Sequence, residues 1–87
     1  MKKKMLMTIR TIQGNSYLVE TGKNLEEFKE NAREVSGIDK FRIIIMDKTI
    51  DDLNNSYIEK YGAINAYKKL LSFMASLATL WLIPITD

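Results

Sequence analysis

Three carboxylates, Asp47, Asp51 and Asp52, lie close together in the stretch MDKTIDDLNNS. Grouped in an open loop, such oxygens are the hard ligands that calcium or magnesium takes. Their spacing fits no calcium loop, and no bidentate glutamate follows. Residues 51–56 therefore read as a solvated polar loop. Ser72 follows Lys68 and Lys69 at helical spacing, the residue types of a serine–lysine nucleophile pair. The same spacing makes them one polar helix stripe. Glu26, Glu27, Glu30 and Glu34 read as a charged helix face. The chain has no histidine, the usual neutral-pH base, and no cysteine, the usual thiolate nucleophile. Its four glycines are scattered rather than gathered into a phosphate loop. The expectation is a non-enzymatic protein with no catalytic residue, no cofactor and no metal site.

Hydrophobic periodicity divides the chain into elements that would position its remaining features. Residues 5–12 alternate, with Met5, Met7 and Ile9 on one side and Leu6, Thr8, Arg10 and Ile12 on the other. Gln13-Gly14-Asn15 marks a turn, and residues 16–21 return as a second strand. Leu25, Phe28, Ala32 and Val35 then recur as one stripe of an amphipathic helix. Asn24 is its N-cap, Glu27 completes a capping-box pattern, and Gly37 supplies the left-handed end. Residues 41–46 form a strand, Asp47-Lys48 a turn, and Thr49-Ile50 start a short strand. A helix follows over 63–77, set off by Gly62. Its apolar stripe is Ile64, Tyr67, Leu71, Met74 and Leu77. Residues 79–83 read as a last strand, stopped by Pro84.

Several of these segments resemble ubiquitin. MLMTIRTIQGNSYLVE looks like that family's opening hairpin, and NLEEFKENAREVSGI like its helix with the same Gly-Ile ending. RIIIMDK resembles its arginine-led strand and turn lysine, YIEKY its leucine-to-tyrosine turn after the polar loop, and ATLWLIP its final strand. The resemblance covers about three-quarters of the chain. It implies an α+β, ubiquitin-like β-grasp fold in one domain over 1–87, with an N-terminal hairpin, a central helix and a mixed sheet. Two features depart from the family: the added helix over 63–77 and the ending LIPITD in place of Gly-Gly. Covalent conjugation is not expected.

Ile43, Ile44 and Ile45 put apolar surface on both sides of a strand. The inward set is Met5, Met7, Ile9, Tyr17, Val19, Ile43, Ile45, Leu80 and Leu82, facing Leu25, Phe28, Ala32 and Val35. The outward set is Ile12, Arg42, Ile44, Trp81 and Ile83. Of these, Ile12, Ile44 and Ile83 match the resembled family's partner-binding patch. With Arg42, Trp81 and the turn residue Lys48 they form the expected partner-binding set, of a composition common in binding hot spots. The added helix must bury its own stripe, and the outward face is where it is expected to lie. The patch would then be covered, or the helix would act as a lid or a swapped element.

Composition sets the class of partner. The hydrophobic fraction is 46% and the charged fraction 28%, ordinary for a soluble domain. The net charge of +2 is concentrated in the basic tag, residues 1–4, and Arg10, and the remainder is mildly acidic. A protein partner is expected, and self-association with it, since apolar residues outside the main core are plentiful. Nucleic acid is not the expected partner, because the lysine run has no interleaved aromatics and no basic stripe follows. An accessory role on nucleic acid through those lysines is one alternative. Another is a membrane tether through the uncharged run 70–86, near the lower length limit for a span. The opening segment lacks the uninterrupted apolar core and cleavage site of a secretion signal. A cytoplasmic protein is the expectation.

Overall fold

The computed structural model describes residues 5–76 and 79–86. The chain runs β1 (Leu6–Arg10), β2 (Ser16–Glu20), α1 (Leu25–Ser36), β3 (Phe41–Ile45), β4 (Lys48–Thr49), α2 (Ile50–Tyr61), α3 (Ala63–Ser76) and β5 (Leu80–Pro84). The strands make one mixed sheet in the order β2-β1-β5-β3-β4. β1 pairs antiparallel with β2 and parallel with β5, and β3 pairs antiparallel with both β5 and β4. Among the described residues the result is an α+β fold of three helices on a five-stranded sheet.

Local chemistry fixes α1 at both ends. Asn24 Oδ1 accepts from the Glu27 N–H at 2.9 Å, and Glu27 Oε1 accepts from the Lys23 N–H at 2.9 Å. The first of these satisfies a donor that the helix leaves orphaned at its start, and the second ties the residue before the cap to the first turn. Gly37 takes φ 73 and donates its N–H to Arg33 O. A residue with a Cβ would meet the left-handed penalty there.

The carboxylate segment is not a polar loop. Thr49 caps a helix beginning at Ile50, its hydroxyl accepting from the Asp52 N–H at 3.1 Å. Asp51 and Asp52 lie in the first turn, where the helix dipole favours negative charge. Ile50 is fully buried, Leu53 and Tyr57 are half-buried against the core, and Asp51 pairs with Lys29 of α1 at 2.9 Å. The expected Thr49-Ile50 strand is Lys48–Thr49, since Ile50 already belongs to α2. Gly62, at φ 86, ends α2, and α3 starts at once and packs back on it.

α3 is rotated from the expected stripe. Ala66, Tyr67, Leu70 and Met74 are buried and Leu71 is half-buried, whereas Ile64 is 86% exposed. Ile64 sits in the first turn, outside the core. Leu77 lies outside the described residues.

The larger correction concerns the side of the sheet. Phe28 and Ala32 of α1, Ile50 of α2, and Tyr67, Leu70 and Met74 of α3 share one core with Met7, Ile9, Val19, Ile43, Ile45, Leu80 and Leu82. All three helices therefore lie on the same face, and the added helix does not cover the outward set. Ile50 explains why: its burial commits the chain after β4 to the α1 side, and the Gly62 turn keeps α3 there. The Tyr67 hydroxyl donates to Thr21 O at the far end of that layer. Most of the inward set is buried as expected. Met5 and Val35 are exposed and Tyr17 is half-buried, because they lie at the margins of the helix layer.

Candidate protein interface

Strand register assembles the open face. Arg10 lies beside Trp81 across the parallel pair, Ile44 lies opposite Trp81 across the antiparallel pair, and Ile44 in turn faces Thr49. With Ser16 opposite Arg10, one row crosses the sheet: Ser16, Arg10, Trp81, Ile44, Thr49. The next row toward the β3 start holds Ile83 opposite Arg42. Trp81 is 36% exposed, Ile44 and Ile83 are half-buried, and Arg42 and Arg10 are exposed. Their alternate neighbours Leu80, Leu82, Ile43 and Ile45 are all buried on the helix side. Strand alternation thus converts one continuous apolar run into a core face and an accessible face.

Four of the six expected residues come together: Arg42, Ile44, Trp81 and Ile83. Ile12 is 74% exposed in the hairpin turn, two residues beyond Arg10. Lys48 does not join them. It lies opposite Ile45, so it shares the helix-side direction and lines a cavity of about 350 Å³ with Met46, Leu53, Tyr57 and Phe73. Arg10, beside Trp81 in the row, is absent from the expected set. The alternation of residues 5–12 already placed it on the outward side.

The face mixes an indole, branched aliphatics and two guanidinium groups. Such a surface can pack apolar anchors while the arginines engage carboxylates at its rim. Among the described residues, no group of three histidine, cysteine, aspartate or glutamate side chains is placed to hold a metal ion. Among them, too, no helix is long and apolar enough to cross a membrane; α3 ends at Ser76 and the later apolar run is β5. Burial, and secondarily the charge of Glu27, raise the Tyr67 pKa well above the usual tyrosine value. Tyr67 faces the core, away from the open face.

No family model, curated protein or solved structure matches the chain.

Proposed function

We propose that this chain is a non-enzymatic, ubiquitin-like β-grasp module of the cytoplasm that binds a protein partner non-covalently through its open sheet face. The strand order β2-β1-β5-β3-β4, with a parallel central pair and a helix after the first hairpin, supports the β-grasp reading. A superfold hosts many functions, so the role must rest on the surface itself. The observation that carries it is the Trp81–Ile44–Ile83 cluster, flanked by Arg42 and Arg10, on a face left bare while three helices crowd the other. An apolar patch rimmed by charge is what protein interaction sites commonly present. The absence of histidine and cysteine from the sequence fits a binding role.

Site-specific photo-crosslinking tests this. A benzophenone side chain at Ile83 is expected to give a discrete protein adduct in the native cell, lost on Ile44→Asp. The same probe at Ile64, exposed on the helix layer, should give none. Adducts confined to the Ile64 probe, or an Ile83 adduct that survives Ile44→Asp, would contradict the reading.

A further inference from the structure

The cavity of about 350 Å³ beside the β3–β4 turn lies on the helix side of the sheet, away from Trp81. Ile45 of β3, Leu53 and Tyr57 of α2 and Phe73 of α3 line its interior. The last three pack against the core and yet stay half-buried. Met46, Asp47 and Lys48, all exposed, stand at its open end. An apolar interior with a few polar groups at one end is the usual build of a small-molecule site, and the volume sits at the lower end of their range of about 300–1,000 Å³.

Two features set this open end apart from a plain hairpin turn. Met46 takes φ 59, and among the described residues it is the one non-glycine at positive φ. Asp47, the other central residue of the turn, does not share that conformation. A two-residue turn with positive φ at its first central position alone ordinarily carries glycine there. Backbone strain of this kind clusters where a side chain contacts a ligand. Met46 lines the cavity with a long, polarisable thioether that adapts to what it packs against. The second feature is a pair of opposite charges. Asp47 and Lys48 follow one another along the chain, both line the cavity, and neither makes an ion pair or side-chain hydrogen bond with a described residue.

We propose that this cavity binds a free α-amino acid with a large apolar side chain. The side chain fills the interior against Leu53, Tyr57 and Phe73, while Lys48 takes the carboxylate and Asp47 the ammonium. The two charges decide among occupants. A neutral apolar body would strip water from both and give neither a partner, and a simple acid or amine would leave one uncompensated. A zwitterion satisfies both from one head group. Met46 packs on the exposed flank of the bound side chain, which accounts for a methionine where glycine or asparagine would relieve the backbone. The site lies across the sheet from Trp81, so it stands or falls apart from the open face.

Nuclear magnetic resonance titration of the isotope-labelled full chain with L-phenylalanine and with L-leucine tests this. Saturable amide shifts are expected at Ile45, Met46, Leu53, Tyr57 and Phe73, with Trp81 and Ile83 unmoved. Phenylacetate, phenethylamine and the blocked N-acetylphenylalaninamide should each bind at least about tenfold more weakly than phenylalanine, the loss of a charge-assisted contact. Lys48→Met should weaken phenylalanine and phenylacetate and spare phenethylamine. Asp47→Asn should weaken phenylalanine and phenethylamine and spare phenylacetate. Met46→Asn should raise the unfolding midpoint of the free protein and yet weaken phenylalanine, a combination that a merely structural methionine does not give. Three results would each overturn the proposal: no saturable shift with either amino acid up to its solubility limit, a blocked amide that binds as well as phenylalanine, or a phenylalanine affinity that ignores both charge substitutions.

Discussion

Trp81 of β5 stands directly opposite Ile44 of β3, on the side of the sheet that the helices leave bare. Their neighbours one residue along, Leu82 and Leu80 on β5 and Ile43 and Ile45 on β3, are buried beneath the helix layer. A single residue step thus separates core from candidate interface, and substitutions at adjacent positions should have opposite kinds of effect.

Leu82→Ala opens a cavity in the shared core and should cost about 2–5 kcal/mol of stability. Trp81→Ala removes a partly exposed ring and should cost about 1–2 kcal/mol, a fraction of the full-burial value. Urea unfolding of the two variants measures the difference. Equal losses would mean that the two faces are not distinct.

Tyr67→Phe removes the donor to Thr21 O and leaves that carbonyl without its partner. The expected loss is about 1–3 kcal/mol at neutral pH. The phenol's pKa is raised in the folded state, so the neutral form is favoured by folding. That contribution is fully present below the unfolded tyrosine value of about 10 and is lost as pH rises from there toward the folded value. Denaturant midpoints of the parent should therefore fall more steeply than those of Tyr67→Phe above that pH. Parallel falls would remove Tyr67 from the linkage.

Gly22 and Gly37 both need positive φ, 68 and 73, but differ in surroundings. A Cβ on Gly22 would come within 2.6 Å of the Glu27 Cβ, whereas one on Gly37 meets nothing within 4 Å. Gly37→Ala should cost roughly 1–2 kcal/mol from backbone strain alone. Gly22→Ala adds a clash with the residue that caps Lys23 and should cost more. Thermal melts ranking Gly37→Ala as the worse variant would show that the α1 entry is looser than its geometry implies.

Met46 takes φ 59 in the two-residue connection between β3 and β4. It is exposed, so its side chain contributes little to packing. Met46→Asn, a residue that tolerates this conformation, should stabilise the fold by about 1 kcal/mol. A lowered unfolding midpoint would indicate that the methionine side chain holds the adjoining cavity together.

The sequence carried the first half of the fold with little ambiguity. Asn24, Glu27 and Gly37 act locally, and the structure has them in the cap roles that their types imply. The alternation through Ile43–Ile44–Ile45 likewise survives folding, since strand geometry leaves it no other outcome. α2 was obscured because Asp51, Asp52, Asn54, Asn55 and Ser56 are weak helix formers. Its N-cap signal, Thr49 three residues before Asp52, was present, and burial of Ile50, Leu53 and Tyr57 overrides propensity. The phase of α3 was hidden by apolar residues on more than one side, so Ile64 and Leu70 competed for the core. Which sheet face the added helix covers depends on the path of α2, and no local pattern carries that. Of the candidate site, Arg42, Ile44, Trp81 and Ile83 were legible as one face. The displacement of Lys48 to the other side follows from its register with Ile45, a pairing across the turn.

Trp81 is the chain's single tryptophan, so its fluorescence reports the open face alone. In dilute monomer the account predicts red-shifted emission that acrylamide quenches readily. Blue-shifted emission that resists the quencher would mean that this face is covered, and would contradict the claim that it is the protein's binding surface.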